Sequence, residues 1–223
     1  MLVLSHRGYH ADLPENTLEA FELAVGMGVD GIETDIRLSA DGLPILFHDR
    51  LSPDGREVDS LSRRELCDAA GYTVPTLDAA LEGMPGVLWN LEVKTPRAVE
   101  AVKSAVSRFG ASRRLLITSF WHDVVEEFSQ LPGVECGILV AQRPFRDCSV
   151  RDLLPERKRI ETIVWDFDML DPSLIRSSRQ SGIRNLVYGA GTVREHLYLR
   201  RLGVDGVITD HPEFAAKEAR DEQ

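Results

Sequence analysis

The 223-residue chain is predicted to be an α/β protein, one TIM-like (β/α)8 barrel over residues 1–223 with a small β-hairpin excursion after its second strand. Three observations predict it. Short apolar runs alternate about eight times with stretches that repeat apolar residues at helical spacing. No linker rich in Pro, Gly or Ser divides the chain, whose length suits a single barrel. One string also recurs near both ends, Gly28-Val-Asp-Gly-Ile-Glu-Thr-Asp35 and Gly203-Val-Asp-Gly-Val-Ile-Thr-Asp210. Each copy reads as a helix-ending glycine, a tight turn and entry into a strand, as two equivalent βα units would. An open doubly wound sheet is the alternative topology.

The first strand is expected at Leu2–Ser5. Leu18, Phe21 and Val25 then recur at helical spacing, and Asn16 with Glu19 forms a capping-box pattern ahead of them. Gly31–Ile36 is the second strand. The remaining strands fall at Val87–Val93, Leu115–Ser119, Glu135–Val140, Thr162–Asp166, Asn185–Tyr188 and Gly206–Thr209. Helical patterns cover Ala98–Phe109, Asp123–Gln130, Pro172–Ser181 and Arg194–Leu202. Ile36–His48 breaks the rhythm: apolar runs flank Ser39-Ala-Asp-Gly42, a hairpin signal, so a β-excursion ending in His48-Asp49 is expected. Arg50 to Pro75 then reads as a surface excursion with one short helix near Arg63–Ala69.

Composition narrows the function. The chain is 43% hydrophobic and 28% charged, and no apolar stretch approaches the roughly 18 residues of a membrane span. A net charge of -10 argues against binding nucleic acid or an anionic membrane, and it repels phosphate at long range. A phosphate ester would need local cations to overcome that field. Cys67, Cys136 and Cys148 are an odd set without paired spacing, which fits reduced thiols. The opening Met-Leu-Val-Leu-Ser-His-Arg-Gly lacks a basic n-region and a small-residue cleavage site, so a cytoplasmic protein is expected. A homo-oligomer is left open.

Glu33 and Asp35 stand two apart on the second strand and share one face; Glu92 and Lys94 repeat this on the third. In a barrel, inward groups near a strand's C-terminal end reach the active-site mouth. Converging carboxylates repel one another unless a cation lies between them, and oxygen-only ligation points to a hard ion such as Mg²⁺ or Ca²⁺. The plainer alternative is strand-end charges paired with Lys94 and nearby arginines. His6-Arg7-Gly8 follows the first strand directly. Imidazole exchanges protons near neutral pH, so His6 and His48 are candidate acid and base, and Arg7 offers a planar fork for phosphate. Gly8 permits close backbone approach. His10, His122, His196 and His211 are expected to be structural.

Taken in order, Ser5-His-Arg-Gly8, Pro14-Glu-Asn-Thr17, Gly28–Asp35, Asp41-Gly42, Phe47-His-Asp49, Pro75-Thr-Leu77, Asn90-Leu-Glu-Val-Lys94, Thr118-Ser-Phe120 and Gly203–Asp210 with Pro212 resemble the glycerophosphodiester phosphodiesterase family. These elements span nearly the whole chain. The resemblance implies hydrolysis of a small anionic phosphodiester, with His6 and His48 as the acid/base pair. It implies one divalent cation, Mg²⁺ or Ca²⁺ with Mn²⁺ as a third candidate, on Glu33, Asp35 and Glu92. Arg7 and Lys94 would contact phosphate, and Ser119 and Phe120 would line the substrate pocket.

Two stretches depart from the family pattern. After His48-Asp49 this chain reads Arg50-Leu-Ser-Pro-Asp-Gly55, and near the seventh strand Tyr188-Gly-Ala-Gly-Thr-Val193 replaces a Trp-containing run. Tyr188 is the expected stand-in for the missing apolar wall. Both changes touch substrate recognition and leave the acid/base and metal sets intact. The competing functions are phospholipase D-like hydrolysis of lysophospholipids, a non-catalytic phospho-metabolite-binding barrel, and a metal-dependent aldolase or isomerase.

Overall fold

Eight parallel strands close into a ring: β1 (Leu2–His6), β2 (Gly31–Leu38), β4 (Leu88–Val93), β5 (Arg114–Ser119), β6 (Val134–Val140), β7 (Thr162–Asp166), β8 (Arg184–Tyr188) and β9 (Gly206–Thr209). The ring shuts because β1 pairs with both β2 and β9. The expected barrel is therefore correct, and the open sheet is excluded. The structure, a computed structural model, describes residues 1–143, 150–154 and 159–214. Cys148 lies outside them. Cys67 and Cys136 are free thiols, and burial pushes the Cys136 thiol up to about 12.

The hairpin signal also forms as expected. β3 (Pro44–Leu46) runs antiparallel to β2 outside the ring, with Gly42 at φ +79° in the turn. Beneath it Ile45, Phe47, Val58, Leu61, Leu66 and Val74 make a small separate core. The excursion carries α2 (Arg63–Ala70), started by a Ser62/Glu65 capping box and ended by left-handed Gly71. A further helix, α3 (Leu77–Gly83), was not anticipated from the sequence; Thr76 caps it and Leu77, Ala80 and Leu81 bury its inner face.

Helices α1 (Leu18–Gly26), α4 (Val99–Phe109), α5 (His122–Phe128), α6 (Pro172–Gln180) and α7 (Val193–Leu202) surround the ring. Their apolar faces meet the outward side chains of the strands; Phe21 of α1, for example, packs edge-on against Trp89 of β4 at 5.3 Å. Between β6 and β7 the described residues hold a 3-10 turn at Val150–Leu153.

The inward faces place the site. Leu4, Leu88, Leu116, Leu139, Val164, Leu186 and Ile208 form a buried interior layer, one from every ring strand except β2. There Gly31 takes the inward position, where a Cβ would lie 2.4 Å from the Leu88 carbonyl oxygen. Beyond this layer the inward face of four strands turns polar: His6 after Leu4, Asn90 and Glu92 after Leu88, Tyr188 after Leu186, Asp210 after Ile208. Alternation alone therefore delivers these groups to the C-terminal mouth.

The two copies of the repeated string are structural equivalents. Asp30 accepts from Val3 N at 2.8 Å, and its counterpart Asp205 accepts from Asn185 N at 2.7 Å. Each aspartate ties its turn to the preceding neighbour in the ring.

Candidate active site

At the mouth His6, Arg7, Glu33, His48, Asn90, Glu92, Lys94, Phe120, Leu139, Tyr188 and Ile208 enclose a cavity of about 160 Å³. Glu33, Asp35 and Glu92 are buried, and one oxygen from each lies within 4.8 Å of the others. Arg7 Nε is 3.0 Å from Asp35 Oδ2, and Lys94 Nζ is 2.8 Å from Glu92 Oε1 and 3.3 Å from Asp35 Oδ1. The cluster thus combines both sequence expectations, a carboxylate triad and its pairing with Lys94 and an arginine.

The electrostatics divide the three acids. Burial pushes the Glu33 carboxyl well above the usual range, and Asp35 and Glu92 push it further. Burial also raises Asp35, but Lys94, Arg7 and the Asn16 amide outweigh it and leave Asp35 below the usual range. Glu92 is raised by burial, with Lys94 opposing. Glu33 Oε2 is buried and accepts no hydrogen bond. Oxygen donors only, net negative charge and an unpartnered buried carboxylate oxygen are what a hard divalent cation satisfies, so the residues fit one.

Second contacts hold these groups in place. Asn16 donates to Asp35 Oδ2 at 3.0 Å while its Oδ1 accepts from Thr34 Oγ1 at 2.6 Å and from Asp35 N at 3.2 Å. The capping-box expectation for Asn16 is corrected here. Thr17 is the α1 cap, accepting from Ala20 N at 3.3 Å, and Asn16 turns inward on a left-handed backbone at φ +57°. Asparagine tolerates that conformation better than most residues. Arg7 is also left-handed, at φ +58°; Glu15 accepts from its Nη1 through both oxygens, at 3.1 and 2.9 Å. Burial opposes the Arg7 charge, but Asp35, Glu15 and Glu33 outweigh it and raise its pKa. Gly8 does allow close approach, to helix α1: a Cβ there would sit 2.7 Å from the Ala20 carbonyl carbon.

His6 and His48 face the same cavity. His6 Nδ1 lies 2.6 Å from Asp210 Oδ1 and its Nε2 3.8 Å from Glu33 Oε2; His48 Nδ1 lies 2.8 Å from Asp49 Oδ1. Phe120 and Tyr188 line the wall and meet edge-on at 6.3 Å. Burial, then the neighbouring Asp166, raises the Tyr188 hydroxyl's pKa. Ser119 is placed differently from expectation. It is fully buried, donates to the Val93 carbonyl at 2.6 Å and accepts from Trp121 N at 3.0 Å, so it shapes the loop behind the cavity. Asp210 is the supporting residue that residue-by-residue reading missed, whereas Glu15 and Asn16 belong to the Pro14-Glu-Asn-Thr17 motif, which the family resemblance sets near the mouth. The signal for Asp210 was present, because it fills the place of Asp35 in the repeat.

A parallel barrel with a buried carboxylate triad, two cationic side chains and two imidazoles at one small mouth has the make-up of a hydrolase for an anionic ester. The model of the glycerophosphoryl diester phosphodiesterase family matches residues 6–214. The chain belongs to that family, and with it to the phosphoric diester hydrolases. It is 28% identical to a glycerophosphodiester phosphodiesterase of Caldanaerobacter subterraneus over 95% of each chain. The crystal structure of the Thermotoga maritima glycerophosphodiester phosphodiesterase is similar at TM-score 0.80 and 28% identity, covering 97% of each chain. An Oleispira antarctica phosphodiesterase, solved with its product sn-glycerol-3-phosphate, shares the fold at TM-score 0.84 and 24% identity, over 99% of this chain and 97% of that one. Among the described residues no helix is long and apolar enough to cross a membrane.

Proposed function

We propose that this chain hydrolyses small glycerophosphodiesters to glycerol phosphate and an alcohol, using one divalent cation, Mg²⁺ or Ca²⁺ with Mn²⁺ as a third candidate. The observation that carries this reading is the convergence of Glu33, Asp35 and Glu92 beside two imidazoles around one cavity. Glu33, Asp35 and Glu92 hold the cation, which when bound supplies Lewis-acid stabilisation of a phosphoryl oxygen.

The chain's own groups do the rest. Lys94, tethered to Asp35 and Glu92, presents its charge at the cavity wall, and Arg7 borders the same space. Both favour the charge that develops on the phosphoryl group. One histidine takes a proton from the attacking oxygen and the other protonates the departing alkoxide. With Nδ1 of each ring engaged by Asp210 or Asp49, Nε2 is the nitrogen left for these transfers. Attack by water gives glycerol phosphate directly, whereas attack by the adjacent glycerol hydroxyl passes through a cyclic phosphate. The odd cysteine count, without paired spacing, supports a cytoplasmic setting.

A second reading has its own observation. Phe120 and Trp121 are large, adjacent and exposed beside the mouth, an apolar ledge suited to a lipid-tailed diester. Turnover of glycerophosphocholine, glycerophosphoethanolamine and glycerophosphoglycerol against lysophosphatidylcholine, followed by ³¹P NMR, separates the two. We expect the water-soluble diesters to be cleaved with higher kcat/KM. A reversed order would replace the glycerophosphodiester reading with the phospholipase D-like one.

A further inference from the structure

The repeated string gives the barrel two equivalent aspartates, Asp35 within β2 and Asp210 directly after β9, on strands that flank β1. Their threonine neighbours are equivalent too: Thr34 donates to Asn16, and Thr209 is hydrogen-bonded to the buried His196. The aspartates themselves differ. Asp35 joins the carboxylate triad, whereas Asp210 faces His6.

We propose that Asp210 is a positioning residue for the phosphodiesterase reaction, holding His6 so that Nε2 is presented to the cavity. The carboxylate accepts the Nδ1 proton at 2.6 Å, which selects one tautomer and one ring orientation. Nε2 then lies on the Glu33 side, 3.8 Å from Oε2. The hydrogen bond to His6 is also the main reason the Asp210 carboxyl sits below the usual range. A second imidazole borders the same carboxylate: His10 Nε2 is 3.7 Å from Asp210 Oδ1, and its Nδ1 is 3.0 Å from the Gly8 carbonyl. Asp210 is half-exposed and belongs neither to the carboxylate triad nor to the cavity lining, so it acts through His6. This assignment rests on the proposed function for its catalytic consequence, though the hydrogen bond itself can be tested without turnover.

The experiment compares Asp210→Ala, Asp210→Asn, His6→Ala and Asp210→Ala/His6→Ala on one glycerophosphodiester with cation present. We expect Asp210→Ala to lower kcat by about 10²-fold with KM and cation affinity held within about twofold. Asp210→Asn, which keeps an acceptor oxygen, recovers part of that loss. In the His6→Ala background, Asp210→Ala costs nothing further. Losses that multiply in the double variant, or a change confined to KM or cation affinity, overturn the proposal. If Asp210→Ala loses its circular-dichroism spectrum, Asp210→Asn carries the comparison. In parallel, ¹⁵N–¹H NMR looks for a slowly exchanging Nδ1–H of His6. Its presence in the wild type and loss in the Asp210 variant supports the assignment; its absence from the wild type overturns it even if no diester is cleaved.

Discussion

Glu33→Gln is expected to cut diester turnover by about 10³-fold while leaving the cation-free protein at least as heat-stable as the wild type. Glu33 is buried, its Oε2 has no hydrogen bond, and two further carboxylates crowd it. Its folded pKa is raised, so the folded chain holds that proton to higher pH than the unfolded chain does. Stability therefore falls as pH climbs from the ordinary carboxylate range toward the raised value. Glutamine removes that cost together with a cation ligand. The same shift means that cation binding expels a proton, so affinity weakens as pH drops. Thermal melting without cation, calorimetric titration at two pH values and kcat measurements check all three. A destabilised variant that still turns over would contradict this role for Glu33.

His6→Ala and His48→Ala should each lower kcat by about 10² to 10⁴-fold, the range for losing an acid or base. Both side chains stand partly exposed at the mouth, 26% for His6 and 33% for His48, so neither supports the core. Circular dichroism and melting temperature should be close to wild type. Near-normal turnover in either variant would remove that histidine from the mechanism. Loss of turnover accompanied by unfolding would give it a structural role instead.

The strands were legible because each ring strand is a short apolar run, and because period-two alternation carries straight on into the polar mouth. Glu33, Asp35, Glu92 and Lys94 could be placed from that alternation alone. Residues on turns were harder. Asn16 sits three before Glu19 and mimics a cap, yet the helix begins one residue later. Its role depends on a left-handed backbone and a strand some twenty positions away in sequence, which no local pattern reports. Ser119 follows the expected motif but spends its hydroxyl on the loop. Helix α3 is short, and its burial against neighbouring elements rather than any long periodic pattern sustains it. Asp210 was visible only as an echo, whose chemical meaning appeared once the ring brought β9 beside β1.

Cation dependence is the claim on which the rest of the mechanism stands. The direct measurement is hydrolysis of glycerophosphocholine, glycerophosphoethanolamine and glycerophosphoglycerol after EDTA treatment, then with Mg²⁺, Ca²⁺ or Mn²⁺ restored. We predict release of glycerol phosphate that EDTA stops and one of these ions restores. Undiminished turnover in EDTA, by a chain shown to carry no bound metal, would contradict the assignment of Glu33, Asp35 and Glu92 as cation ligands.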